Sequence, residues 1–484
     1  MKKLLALFVI TLFTLHQAVY ANTLKDTSNS VVKVYSSLSI PNYKEPWQTS
    51  TRSQISGSGA IIDGNYIITN AHVVSNAKFI QVSKDQSSKR VTAKIKYISH
   101  QADLAILEVD DKSFFNGTKQ LKFTQNVKTG DNVTVLGYPM GGATLSTTKG
   151  TISRIEPQNY AWSYERMLAI QIDASVNSGN SGGAALNDNG EIVGIVMQSY
   201  AKSQADNISY IIPSMIVNTF LEDIKDDKVD GFDDSAIYNQ TLTNEALKSY
   251  YNIKDDVGLL ITQVEESEDT LRAGDILLEI EKHVISNDGK IQTKYGAQFV
   301  KYLTDSKPVG YKLKKAILRD GKKLNIEYTL KRKHELIKYE YNEEPRYIIF
   351  GGFSFTPLTK NYLSSHKLKS VIFDIYYEQN KETKHVKEPV VIQVEKFNHN
   401  INESYYPYIW LVKSINGQSV IDFKHLVKLL AENKEKYTVV EFWDVDYKII
   451  LDTKEARESF NEIKNIYGLS SDRRVSDKWK TLKF

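Results

Sequence analysis

The 484-residue chain contains no cysteine. That absence removes disulfide frameworks, zinc–thiolate sites, iron–sulfur clusters and cysteine nucleophiles. Proline is scarce, at 10 residues, which argues against long proline-rich linkers. No charge of one sign prevails: 62 Lys+Arg against 58 Asp+Glu give a formal balance of +4. Two of those cations, Lys2 and Lys3, lie in a segment read below as removed. Such a balance gives no electrostatic case for a nucleic-acid partner. His16, His283, His334, His366, His385, His399 and His425 are scattered without metal-ligand spacing, so no metal is expected. What is present is globular composition, 41% hydrophobic and 25% charged, with 29 tyrosines that favour β-rich packing. The length suggests about three domains.

Residues 1–21, MKKLLALFVITLFTLHQAVYA, read as a signal peptide. Two lysines precede an apolar run from Leu4 to Leu15, and the small side chains of Val19 and Ala21 suit cleavage after Ala21. As a helix the run rises only about 18 Å, short of a bilayer core of roughly 30 Å. No later stretch is apolar and long enough to span. The mature protein is therefore expected to be exported, soluble and periplasmic.

From about residue 30 to 224 the pattern is short and β-like. VVKVY, AIID, YIIT, AILEV, VTVLGY and EIVGIVM are broken by Gly, Asn-Asp and Ser clusters. So many strands without long helices predict a sandwich or one or two antiparallel barrels. MIVNTFLEDI then reads as a helix, and the acidic, turn-rich DDKVDGFDD as a linker at 225–234. Mixed α/β units follow at 235–333 and 340–453, with a charged, helical extension over 454–484.

Three segments carry chemistry when taken together. A strand, Tyr66–Thr69, ends in a turn presenting His72; Asp103 stands at the mouth of the apolar strand Leu104–Leu107; and a Gly-rich turn, Asn177–Gly183, carries Ser181. A serine hydroxyl needs a neighbouring base near neutral pH, and imidazole titrates in that range. A buried carboxylate then fixes the imidazole's tautomer and stabilises its cation. Gly179, Gly182 and Gly183 permit a sharp turn that aims the amides of Gly179 and Ser181, with Asn180 between them, at one developing oxyanion. The order His–Asp–Ser is that of double-barrel serine proteases and not of α/β hydrolases or subtilisins. His100, three residues before Asp103, lacks the Thr-Asn-Ala context of His72 and reads as a surface residue.

TNAHVV, DLAIL and GNSGGAALNDNGEIVGI resemble the HtrA/Deg family of trypsin-like serine proteases, as does NISYIIPS. The resemblance implies a mainly β fold, a chymotrypsin-like double β-barrel followed by two mixed α/β PDZ-like domains. It implies His72 as general base, Asp103 as orienting acid, Ser181 as nucleophile, and homo-oligomers built on trimers that work without a cofactor. In such proteases the residue six before the nucleophile lines the base of the primary specificity pocket. Here it is Ser175, so cleavage after small or medium aliphatic residues is expected, with Ile208 nearby. Ile208-Ser209-Tyr210 is expected to pair with an extended, unfolded substrate by β-augmentation.

Leu271–Ile280 resembles the turn and strand of a PDZ domain, with its peptide loop placed at Asp234–Tyr238, hence Ser235, Ala236 and Ile237. Gly351, Gly352 and Phe353 resemble a second PDZ domain's carboxylate-binding loop, which would take hydrophobic peptide C-termini. Phe423, Leu426, Val427 and Leu430 fit one face of a helix after a strand at Leu411–Val420. The insertion at Lys381–Lys387 and the long extension resemble the divergent second PDZ of plant-type Deg proteases, for which packing or assembly is an equal role. The expected activity is an ATP-independent endopeptidase for misfolded envelope proteins. A latent protease acting as chaperone or peptide scaffold is the alternative.

Overall fold

A computed structural model describes residues 27–199, 208–234, 237–264, 270–332, 335–368, 373 and 383–475. The signal-peptide segment, Ser235 and Ala236 lie outside the described residues, as do Lys381 and Glu382 of the basic insertion.

Six antiparallel strands close a first barrel: β1 Val31–Ile40, β2 Thr51–Ile62, β3 Tyr66–Thr69, β4 Ala77–Ser83, β5 Val91–Ser99 and β6 Leu104–Val109, in the order β1-β2-β3-β6-β5-β4. The apolar run of β6 divides by alternation. Ala105, Leu107 and Val109 fill this barrel, while Leu104 and Ile106 join the larger core beyond it. That double burial explains why the segment reads as continuously hydrophobic rather than alternating.

A second closed barrel, order β10-β11-β12-β9-β8-β7, is built from β7 Asn132–Gly137, β8 Ser146–Asn159, β9 Arg166–Ile172, β10 Ala184–Leu186, β11 Ile192–Ser199 and β12 Ser209–Pro213. The expected helix follows at Ser214–Asp223, burying Met215, Ile216, Val217 and Phe220. The segment read as a linker is packed rather than loose. Phe232 is buried in the protease core, with its N–H donated to Gln101 Oε1 (2.9 Å), and Asp223 takes the Gly231 N–H (3.0 Å).

The first α/β module contains β13 Ile237–Thr241, β14 Leu259–Val264, β15 Ile276–Ile280, β16 His283–Val284, a separate hairpin of β17 Lys290–Thr293 and β18 Gly296–Phe299, then β19 Lys312–Arg319 and β20 Lys322–Thr329. Its main sheet runs β13-β14-β15-β19-β20. It forms one compact unit with the barrels. Gln298 Nε2 donates to the Ile155 carbonyl of β8 (2.9 Å), Tyr295 OH to the Gln125 carbonyl (2.9 Å), and Thr219 Oγ1 to the Asp305 carbonyl (3.1 Å).

The second unit takes in residues 334–484 and, from the β1–β2 connection, residues 39–53. Residues 39–53, which lie inside the segment 30–224 read as one domain, thus group with the second unit. Trp47 packs edge-on to Phe397 (ring centroids 4.9 Å), and the Pro46 carbonyl accepts from Arg474 Nη1 (2.7 Å). The strands are β21 Tyr347–Phe350, β22 Phe353–Pro357, β23 Val390–Lys396, β24 Trp410–Ile415, β25 Gln418–Ser419, β26 Tyr437–Phe442, β27 Lys448–Asp452 and β28 Arg473–Arg474. The main path is β27-β26-β24-β23-β22-β21-β28. The helix Phe423–Glu432 buries the four apolar residues expected of it and is capped by Asp422, whose carboxylate accepts from the His425 N–H (2.7 Å). The extension is helical at Thr453–Glu458 and Phe460–Tyr467, as expected, but is no free tail: Ala456 and Ile463 are buried.

Candidate active site

Three local features converge. Strand β3 ends at Thr69, and Asn70, in extended geometry, starts the one-turn helix Ala71–Val74 that presents His72. Before β6, the Asp103 N–H closes a turn on the His100 carbonyl (3.3 Å). Asp103 sits at φ +54°, a left-handed conformation that Asp and Asn tolerate better than most residues. The Asn70 side-chain amide holds it there by donating to the Asp103 carbonyl (2.9 Å). The buried Asp103 carboxylate then accepts twice from His72: the backbone N–H on Oδ1 (2.9 Å) and ring Nδ1 on Oδ2 (2.7 Å). With Nδ1–H committed, Nε2 is the ring's acceptor. Burial alone lowers the His72 pKa, but the Asp103 charge and hydrogen bond outweigh it, and the net result lies above the ordinary 6.5.

The third feature is the turn Asn177–Gly183. Gly179 has φ +99° and Gly182 φ +84°. A Cβ on Gly182 would lie 2.1 Å from the Ser58 carbonyl oxygen and 2.3 Å from Thr69 Oγ1, so only glycine fits. The same point is 3.2 Å from the Asn70 nitrogen, two residues before His72. The Ser181 carbonyl accepts from the Ser58 N–H (2.8 Å). The serine turn of the second barrel is thus fastened to the strand end that delivers the imidazole.

The Ser178 carbonyl is drawn to the Met140 N–H (2.6 Å), and the Asn180 N–H goes to the Asn177 carbonyl (3.0 Å). No oxygen of the described residues takes the N–H of Gly179 or Ser181. The Ser181 hydroxyl donates to the Met197 carbonyl (3.2 Å).

Of the expected substrate residues, Ser175 is exposed and uses its carbonyl to accept from Thr148 Oγ1 (2.9 Å). The nearby carboxylate, Asp173, is occupied by the N–H and hydroxyl of Thr151. Ile208 is half-buried against the barrel core. Ser209 and Tyr210 require a correction. Both are buried in β12, which is paired on each side, to β9 (Ser209↔Ile172) and to β11 (Ser209↔Ser199), so their backbone offers no edge to a substrate. The strand beside the serine is the end of β11 at Met197–Ser199, whose other neighbour, β10, stops pairing at Ile195. The sequence reading chose the wrong one of two adjacent apolar strands because both carry the same pattern.

Gly351, Gly352 and Phe353 also require a correction. Gly351 and Gly352 make the tight turn between β21 and β22 (Phe350↔Phe353), which gives β22 a partner on both edges. The Gly351 N–H points to the Ala456 carbonyl (3.4 Å) and the Gly351 carbonyl accepts from Asn402 Nδ2 (2.9 Å). The loop is filled by the chain's own extension instead of standing open. In the first module, by contrast, Ile237 begins β13, an edge strand that among the described residues pairs only with β14.

Sequence reasoning missed Ser58, Asn70, Met197 and Trp162. Asn70 lay inside the Thr-Asn-Ala-His motif. The others act through backbone contacts or from a β8–β9 turn whose place in the fold has no local signature.

Comparison with known proteins agrees with this architecture. Residues 57–195 match the family described as trypsin-like peptidase domain, and residues 337–476 match the PDZ domain family. The chain is 36% identical over 444 residues to putative protease Do-like 3, mitochondrial, of Arabidopsis thaliana, covering 90% of this chain and 78% of that protein. It is 30% identical over 460 residues to protease Do-like 2, chloroplastic, of the same organism, covering 92% and 74%. Among solved structures, the HtrA-type protease AlgW with tripeptide is similar in fold (TM-score 0.50, 24% identity, 64% of this chain and 96% of that one).

Proposed function

Because the chain belongs to the Do-like (HtrA/Deg) family of trypsin-like serine proteases, we propose that this serine endopeptidase is exported to a bacterial envelope and works there, without ATP, on unfolded or misfolded polypeptides. The observation that carries the mechanism is the doubly bonded His72–Asp103 pair beside the Ser181 turn. In this reading Ser181 Oγ attacks the scissile carbonyl as His72 Nε2 takes its proton. The imidazolium is stabilised by Asp103 and passes the proton to the leaving amine as the C–N bond breaks. Water, activated by the same nitrogen, then attacks the acyl-enzyme and regenerates Ser181. The N–H groups of Gly179 and Ser181 receive the oxyanion.

An extended substrate pairs with the edge of β11 at Met197–Ser199, which carries no partner strand beside the serine among the described residues and which only an unfolded segment can reach. Ser175, without a carboxylate partner for Lys or Arg, favours small or medium aliphatic residues before the cut. The first module, with the open edge of β13, takes hydrophobic C-terminal peptides and regulates the protease; the working form is a homo-oligomer built on trimers. The relatives' names give organellar addresses, but the leader here has two lysines before an apolar run, the secretory pattern and not that of an amphipathic, Arg-rich transit peptide. A latent, scaffold-like resting state is the second reading, favoured by the Ser181 hydroxyl bonding to Met197 instead of to His72.

Fluorophosphonate labelling of wild type and Ser181→Ala, with and without an unfolded protein substrate, tests the assignment. Label confined to wild type, with cleavage profiled after aliphatic residues, is the expected result. Label retained in Ser181→Ala rejects the nucleophile, and no label in wild type even with substrate leaves the scaffold reading.

A further inference from the structure

Trp162 stands in the turn between β8 and β9. Its base is rigid: the Tyr160 N–H bonds to the Glu165 carbonyl (2.9 Å), the Tyr164 N–H to the Tyr160 carbonyl (2.8 Å), and the buried Tyr160 hydroxyl to the Leu168 carbonyl (2.6 Å). From this turn of the second barrel the indole reaches two imidazoles of the first. Its ring lies 6.3 Å from that of His72, tilted by 47°, and 6.0 Å from that of His100, tilted by 36°. Indole Nε1–H donates to His100 Nδ1 (3.2 Å). That bond needs a neutral His100, and burial pushes the His100 pKa down to about 4, so the acceptor persists across the neutral range. His100 is also the residue whose carbonyl closes the Asp103 turn. His100 is therefore not the idle surface residue that its sequence context suggests.

Resting on the reading of His72 as the base, we propose that Trp162 is a positioning residue for that base, clamped between His100 and the His72 ring. Asp103 grips His72 along one edge only, through its N–H and Nδ1. A ring held at one edge can still tilt, and the Ser181 hydroxyl, turned to Met197, gives no second anchor. A flat side chain against the ring, itself tethered through its N–H, limits that tilt and keeps water from the His72–Asp103 bond. Tryptophan supplies both the area and the donor; phenylalanine would supply the area alone.

The test separates base positioning from a simple wall of the substrate cleft. A small fluorophosphonate carries no peptide side chains, so its rate of reaction with Ser181 reads the nucleophile, base and oxyanion donors without the contacts of the substrate cleft. Trp162→Ala in the full chain should lower kcat on a peptide by roughly 10- to 100-fold with little change in KM, and slow phosphonylation by the same factor. Trp162→Phe should recover part of the loss. His100→Ala, which leaves the indole in place but removes its acceptor and guards against a misfolded Trp162→Ala, should slow phosphonylation as well. Phosphonylation at the wild-type rate in Trp162→Ala, whether KM rises or not, overturns the clamp. Ser181→Ala must abolish both readouts; if it does not, the nucleophile assignment has failed and not the clamp.

Discussion

Asparagine at position 103 is nearly isosteric with aspartate and suits the left-handed backbone at φ +54°. The Asn70 bond to the residue 103 carbonyl does not involve the side chain and survives the change. Geometry is therefore preserved while one of two acceptor oxygens becomes an NH₂ donor. The His72 backbone N–H cannot change role, so the amide oxygen turns to it and the NH₂ faces Nδ1. Nδ1 must then accept, the proton moves to Nε2, and the ring presents a donor to Ser181 where a base is required. Loss of tautomer control on this pattern costs about 10⁴-fold in kcat, about 5 kcal/mol of barrier. Peptide turnover and phosphonylation rate measured side by side should both fall by that order, with little change in melting temperature. Retention of more than about a tenth of the wild-type rate would refute the tautomer argument, because Nε2 would then be serving as the acceptor without the Asp103 carboxylate.

Two other outcomes follow from the same geometry. His72 must be neutral to accept the Ser181 proton, and its pKa is raised because the Asp103 charge and hydrogen bond outweigh burial. Activity should therefore be lost as pH falls through a value above 6.5, and a pH–kcat/KM profile with its acid limb at or below 6.5 would contradict the pairing. In the second unit, Gly352 has φ +78°, and a Cβ there would stand 2.2 Å from Asn402 Nδ2 and 2.5 Å from the Phe397 carbonyl. Gly352→Ala should destabilise that unit by about 1–3 kcal/mol or more, seen as an earlier calorimetric transition with Ser181 phosphonylation unchanged; an unaltered melt would mean the turn is not as tight as drawn.

The barrels were legible because their apolar runs are short and ended by turn residues, and the His, Asp and Ser segments were legible because their local motifs are dense. What escaped the sequence depends on pairing across the chain. Ile208–Tyr210 and Ile192–Ser199 are equally apolar, and only the register of β12 against both β9 and β11 shows which edge is spent. The acidic segment 225–234 has the composition of a linker, yet Phe232 is buried where Gln101, more than a hundred residues away, bonds to its backbone, and the buried Asp233 accepts from the Lys331 N–H (3.1 Å). Trp162 gave no signal since its partners, His72 and His100, come from the other barrel.

The two α/β modules carry one further consequence of pairing. The path β13-β14-β15-β19-β20 recurs as β22-β23-β24-β26-β27, each with a short helix (Glu245–Tyr250; Lys360–Ser365) between its first two strands. On this correspondence β13 and β22 occupy the same position, but only β13 keeps an outer edge without a partner strand among the described residues. At β22 that edge is taken by β21, and the far edge of β21 by β28. A peptide cannot add a strand where the chain has already added its own. On the function proposed above, peptide recognition falls to the first module, which is hydrogen-bonded to the protease barrels through Gln298, Tyr295 and Asp305. Gln298 meets β8, the strand that leads into the turn carrying Trp162. Among the described residues, an edge without a partner strand and hydrogen bonds to the protease barrels thus coincide in one module, while in the second the corresponding edge is already paired.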